Sequence, residues 1–186
     1  LTLGMFNVRG DCNPRHNFRC QPETSFPVGI FFLVGLFIGI RELFKKKYYE
    51  SDLGGLMPFF FLLTAFFFMM LPATLTWEGI PHALRSIGMI IPVMMYAGLG
   101  AAWLWQKSMA YIDENLHDPA NSDRYEQLRR IRSEAQILLV SLALFIAAGS
   151  FFTYFIAFAG SDDAYGGFSA DISTIGEFLN QKPDEL

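Results

Sequence analysis

The stretch Leu53–Leu75 reads LGGLMPFFFLLTAFFFMMLPATL and contains no charged residue. The hydrocarbon core of a bilayer is about 30 Å thick, so a helix needs roughly 20 apolar residues to cross it. Because lipid offers no hydrogen-bond partner, a segment inside it must satisfy its own amides, and an α-helix does this without help from other segments. The stretch therefore predicts a transmembrane helix.

Three more segments of the 186-residue chain have the same apolar character. Together with the first, they place membrane spans at 26–44, 53–75, 87–105 and 137–160. All four are too long, and alternate too poorly, for the strands of a membrane barrel. More than half of all residues are hydrophobic, and Phe alone occurs 20 times. We predict an all-α integral membrane protein, with a four-helix transmembrane domain that covers residues 26–160.

The basic residues predict how the chain is oriented. Cytoplasmic loops of membrane proteins carry an excess of Lys and Arg. Nine of the 14 basic residues lie in the segments that end spans one and three and lead to the next span: Arg41, Lys45, Lys46, Lys47, Lys107, Arg124, Arg129, Arg130 and Arg132. We therefore expect both termini outside, in a membrane of the bacterial inner (plasma) membrane type.

Residues 106–136 separate spans three and four. Apolar residues at helical spacing flank a predicted turn at 117–122, which indicates a cytoplasmic helical hairpin that extends both spans. Asp123 and Glu126 resemble a helix N-cap and its partner. The hairpin is either solvated, with its arginines near anionic lipid headgroups, or it is a binding site for a cytoplasmic partner. The candidate docking residues are charged: Asp113, Glu114, Asp118, Arg124, Arg129, Arg130 and Arg132.

The predicted outer N-terminal segment, residues 1–25, contains the chain's two cysteines. Cys12 and Cys20 have His16 between them, so a disulfide, two unpaired thiols and a metal site are all open. An oxidising outer compartment favours the disulfide. A closed zinc site usually takes four ligands, and Pro14 interrupts the helix that would align the three side chains, so we do not predict a metal here.

A second polar group precedes span three. Glu78, His82 and Arg85 are expected at the outer mouth of the bundle. An unperturbed His titrates near pH 6.5, so a proton-sensing or ligand-gating cluster is one interpretation. The alternative, which we favour, is an interfacial loop whose polar groups meet water and lipid headgroups.

Small residues indicate where helices pack closely. Gly35 and Gly39 form a GxxxG pattern in span one, and Ala97 and Ala101 repeat the spacing in span three. Gly149 belongs to a similar small-residue run in span four. Such spacing lets membrane helices approach, either within one subunit or between copies.

The C-terminal segment, residues 161–186, is an acidic outer tail. It holds six acidic residues against one basic residue, Lys182. Asp171 is placed to begin a short amphipathic helix whose apolar face carries Ile172, Ile175, Phe178 and Leu179. We expect this helix to lie on the outer membrane surface or on the chain's own helical bundle.

The pattern of polar residues favours a non-enzymatic function. The chain shows no serine–histidine–acid set, phosphate loop or dinucleotide fingerprint, and we expect no cofactor. No ionisable residue lies at mid-span, which argues against a proton pump, a voltage sensor or a haem-binding bundle.

The most favoured function is a scaffold or sensor subunit of a membrane assembly, homo-oligomeric, with a cytoplasmic protein partner. A homo-oligomeric channel or small transporter is the alternative, and a membrane enzyme comes third. Since no basic groove is evident, no sequence-specific nucleic acid binding is expected.

Overall fold

The computed structural model describes residues 2–44, 53–76, 80–117 and 124–181, with the side chains of 53–56 excepted. Over these residues the chain is helical and forms no strand. The helices in chain order are α1 (Phe26–Leu43), α2 (Leu53–Thr74), α3 (Ile90–His117), α4 (Tyr125–Phe151), α5 (Asp162–Gly167) and α6 (Ala170–Gln181). Short 3₁₀ helices occupy Thr2–Gly4 and Leu84–Met89, and a π-helical segment, Phe152–Phe158, continues α4.

Four of these helical segments are long and apolar enough to cross a membrane, namely Phe26–Leu43, Met57–Thr74, Leu84–His117 and Tyr125–Phe158. The predicted all-helical class, with four apolar helices long enough to span a membrane, is thereby confirmed. Their insertion in a bilayer, and the cytoplasmic position of 106–136, stay predictions.

The start of α1 follows from its local sequence. Ser25 is extended (φ −61°, ψ 152°), and Pro27 lies in the first turn. Proline is tolerated there because the first amides of a helix have no intrahelical acceptor. The chain therefore enters α1 at Phe26, as the sequence predicts.

Helices α1 and α3 meet backbone to backbone. A Cβ atom on Gly35 would lie 1.8 Å from the carbonyl oxygen of Tyr96, and one on Gly100 would lie 2.0 Å from that of Phe31. A Cβ on Gly39 would lie 2.6 Å from the Tyr96 ring. Only glycine permits such approach, so the small residues of α1 serve packing within the chain.

The other predicted packing residues differ in their surroundings. Ala97 is buried against α1 and α2 as part of the core, whereas Ala101 is only half-buried. In α3 the close approach to α1 is made by Gly100 rather than by Ala101. A Cβ on Gly149 of α4 would meet no atom of the described residues within 4 Å.

The hydrophobic core lies where the N-terminal segment covers α1, α2 and α3. Met5 and Phe6 join a buried cluster with Phe32, Phe66 and Val93. Backbone bonds hold them there, since the amides of residues 23 and 24 donate to the carbonyl oxygens of Met5 and Phe6 at 3.0 and 3.2 Å. We call residues 2–25 the N-terminal cap.

Helix α4 is packed differently from the other three apolar helices. In its most apolar stretch of 18 residues no residue is buried, whereas a third of the residues are buried in the corresponding stretches of α1 and α3. One polar contact to α3 is an ion pair between Arg132 Nη1 and Asp113 Oδ1 at 2.8 Å. Both residues are candidate docking residues in the sequence, and the structure brings them together.

Replacing Asp113 by Asn should lower the free energy of unfolding only slightly. The side chains of Asp113 and Arg132 are 41% and 44% exposed, and exposed pairs of this kind contribute about 0–1 kcal/mol. Thermal unfolding in detergent measures the loss, with Glu134→Gln as the control, because Glu134 pairs with Arg130 within α4. A loss several times that of the control would contradict this prediction.

Candidate functional site

The two cysteines of the N-terminal cap lie at bonding distance. The sulfur atoms of Cys12 and Cys20 are 2.16 Å apart, in agreement with the predicted disulfide. Their bond closes a short loop that contains His16. Neither sulfur is then a thiolate, which removes the metal site that the spacing Cys12, His16, Cys20 had left open.

Asp11, adjacent to Cys12, organises this loop. Its side chain is 6% exposed. Oδ1 accepts a hydrogen bond from the amide of Asn13 at 2.8 Å. Oδ2 lies 2.8 Å from Nδ1 of His16 and accepts a hydrogen bond from the amide of Ala83 at 2.9 Å. Ala83 lies between α2 and α3, so this carboxylate joins the cap to the segment that precedes α3.

The two histidines near Asp11 stack on one another. The ring centroids of His16 and His82 are 4.8 Å apart, with 37° between the planes. One potential ligand atom from each of Asp11, His16 and His82 lies within 4.8 Å of the other two. Nδ1 of His82 is buried and has no hydrogen-bond partner in the part of the chain that the structure describes.

Glu23 supports the cluster from the far side of the loop. Its Oε1 accepts hydrogen bonds from the amide of Asp11 at 3.1 Å and from Nδ2 of Asn17 at 3.3 Å. Asn17 Nδ2 also donates to the carbonyl oxygen of Gln21 at 2.6 Å. The loop that presents Asp11 and His16 is therefore held by side chains as well as by the disulfide.

The two carboxyl groups have opposite pKa shifts. Burial acts to raise the pKa of Asp11, but hydrogen bonds from Ala83, Asn13 and His16 outweigh it, so this pKa lies below its ordinary value. Burial raises the pKa of Glu23, and the neighbouring charge of Asp11 raises it further. The pKa of Asp11 is therefore the lower of the two, because the hydrogen bonds that Asp11 accepts favour its ionised form.

The sequence pattern assigns His16 and His82 to two separate groups, and the structure brings them together. Arg85 lies nearby in the chain, in the 3₁₀ helix Leu84–Met89, while Glu78 is outside the described residues. Asp11 was not singled out from the sequence. The only local signal for it is its position beside Cys12 and five residues before His16.

A cleft of about 720 Å³ opens between the cap, the start of α1 and the end of α4. Its lining includes polar residues, among them Asn7, Asn17 and Glu23, and apolar residues, among them Ile30 and Phe145. The volume lies within the range of about 300–1,000 Å³ that is typical of small-molecule sites. The cleft is separate from the histidine pair, since neither histidine lines it.

The predicted docking residues differ in their contacts and exposure. Asp113 and Arg132 pair with each other, and Arg130 pairs with Glu134 at 2.7 Å. Glu114, Arg124, Arg129 and Arg130 are exposed. Asp118, like the predicted capping residue Asp123, lies outside the described residues. The exposed charges leave a polar surface on both helices.

Comparison with known proteins adds no identity to these observations. No family model, no curated protein and no solved structure matches this chain.

Proposed function

We propose that this protein is a non-enzymatic scaffold or sensor subunit of a membrane assembly, and that a cytoplasmic partner docks on residues 106–136. The observation that carries the proposal is the length of two helical segments. Leu84–His117 and Tyr125–Phe158 each contain 34 residues. At 1.5 Å per residue each is about 50 Å long, roughly 20 Å longer than the hydrocarbon core requires.

The residues in the part of each segment that exceeds the bilayer thickness indicate which end of the two helices projects from the lipid. Exposed charges, among them Glu114, Arg124 and Arg129, lie toward the ends of α3 and α4 that are adjacent in the chain. Charges at the bilayer centre are costly, so this end projects from the lipid. The Asp113–Arg132 pair ties the two helices there and supports a joined surface on which a partner binds.

The exposure of α4 supports the oligomeric part of the proposal. Small residues let membrane helices approach, and the contact between α1 and α3 uses Gly35 and Gly100 in this way. Gly149 of α4 has the same small size, but among the described residues no atom lies within 4 Å of the position of its missing Cβ. Gly149 also lines the cleft between the cap, α1 and α4. Helix α4 therefore presents a surface for a helix of a second copy.

Purification from native membranes in mild detergent tests both parts. We expect a soluble protein to co-purify with the wild type, and to be lost when Arg124, Arg129 and Arg130 are replaced by Glu. Glu177→Lys, a reversal on the exposed α6, is the matched control and should retain the partner. Light scattering on the same samples should give a particle that contains more than one copy.

Recovery of this chain alone from the wild type, the arginine variant and the control would contradict docking. A monomer in every preparation would contradict the oligomer. Ion or solute flux through liposomes that hold only the purified protein would favour the alternative, a homo-oligomeric channel or small transporter.

A further inference from the structure

We propose that Asp11, His16 and His82 bind one divalent transition-metal ion of the zinc class at the outer end of the bundle. The proposal goes beyond the proposed function, because it concerns the opposite end of the molecule from residues 106–136. It also departs from the sequence-based expectation of no metal. The chain brings these three residues together from two segments that are 66 or more residues apart in sequence.

The donor set selects the class of metal. Two imidazoles and one carboxylate are common ligands of Zn²⁺, and imidazole also suits Cu²⁺ and Ni²⁺. Mg²⁺ and Ca²⁺ prefer oxygen ligands throughout, so this site does not suit them. The disulfide withholds Cys12 and Cys20 from the metal, which leaves His16, His82 and Asp11 as its donors.

The geometry needs only a small adjustment to hold an ion. Ligand atoms about 2.0–2.1 Å from a tetrahedral zinc ion lie roughly 3.3 Å from one another. In the structure the three candidate ligand atoms already lie within 4.8 Å of one another, and Asp11 and His16 are separated by 2.8 Å. To hold one ion, Oδ2 of Asp11 and Nδ1 of His16 move apart slightly from their direct hydrogen bond, and side-chain rotation closes any wider gap among the three ligand atoms.

The surroundings of the three side chains resemble those of a metal site. The amides of Ala83 and Asn13 hold the Asp11 carboxylate in place, as groups around metal ligands commonly do. Nδ1 of His82 is buried without a partner among the described residues. A buried polar atom without a partner is unfavourable. Coordination of a metal ion by this nitrogen offsets the cost, because it gives the nitrogen a partner.

Three protein ligands leave one position for water or another small ligand. His16 and His82 are both partly exposed, so an ion can enter from solvent. Once bound, the ion links the cap, through Asp11 and His16, to the segment before α3, through His82. Metal binding therefore stabilises the attachment of the cap to the bundle.

Zinc titration of the full chain in detergent, with the disulfide intact and prior metal removed by a chelator, tests the site. Calorimetry and elemental analysis should give one Zn²⁺ per chain, and the unfolding temperature should rise to a plateau. Mg²⁺ at the same concentration should not raise it. His82→Gln should weaken zinc binding roughly tenfold or more, because even the loss of a group that only supports a metal ligand costs about 10–100-fold in affinity.

His117→Gln is the matched control, because the chain has three histidines and the hydrogen bond described for His117, to the carbonyl oxygen of Asp113, lies within its own helix. Its zinc affinity should equal that of the wild type. Unchanged binding in His82→Gln, or binding lost in His117→Gln, would overturn the proposal. Co²⁺ added to the wild type should give the visible absorption of a tetrahedral nitrogen–oxygen site, and its absence would also overturn the proposal whether or not the variants fold.

Discussion

Replacing Gly35 by Leu should separate α1 from α3 and destabilise the protein more than any other single change considered. The new Cβ would lie 1.8 Å from the carbonyl oxygen of Tyr96, and backbone cannot rotate away as a flexible side chain can. Overpacking of a well-packed core costs about 1–3 kcal/mol or more, and we expect the upper end or beyond. Thermal unfolding and the monodisperse fraction after detergent extraction measure the effect.

Gly98→Leu is the control for this change, since Gly98 is on α3 and a Cβ there would meet no atom within 4 Å in the part of the chain that the structure describes. It should unfold at the wild-type temperature. Equal unfolding temperatures for Gly35→Leu and Gly98→Leu would show that the close approach is absent. A second test is Gly35→Ala combined with Gly100→Ala, which should cost less than the two single changes together, because both Cβ atoms enter the same contact.

Replacing Asp11 by Ala should release the N-terminal cap from the bundle. The amides of Asn13 and Ala83 and the ring of His16 would lose their common acceptor. Hydrogen bonds to charged groups contribute about 1.5–3 kcal/mol each, and a buried donor left without a partner adds to the loss. Amide hydrogen exchange across residues 2–25, which reports local opening, should accelerate strongly.

Two comparisons separate this effect from a general loss of charge. Glu177→Ala removes an exposed carboxylate from α6 and should leave exchange in the cap unchanged. Asp11→Asn keeps an acceptor oxygen of the same shape and should give an intermediate rate. Wild-type exchange in Asp11→Ala would mean that the cap is held by Met5 and Phe6 alone.

Most of the helical architecture follows from local sequence. Leu53–Leu75 predicts a span because its apolar length matches the bilayer, and α2 indeed covers Leu53–Thr74. Ser25 and Pro27 predict the start of α1 through the chemistry of a helix N-terminus. Gly35 and Gly39 mark a packing face, although their spacing cannot say whether the contact lies within the chain or between copies.

The sequence predicts only part of the candidate site. Cys12 and Cys20 predict a disulfide from composition and compartment, and the sequence pattern places His16 and His82 in separate groups. No sequence signal distinguishes Asp11, because an isolated Asp in a loop resembles any solvated carboxylate. Its role depends on the amide of Ala83, 72 residues away, and no periodicity or spacing encodes a contact of that kind.

Hydropathy and intrahelical hydrogen bonding are properties of consecutive residues, so the sequence is enough to predict four apolar helices and the positions of their charges. Which helix faces meet is seen only in the folded chain. The fold places Gly100 rather than Ala101 against α1, pairs Asp113 with Arg132, and joins Asp11, His16 and His82 at one point. These contacts depend on how whole helices and the cap pack against one another, and residues far apart in the chain determine that packing jointly.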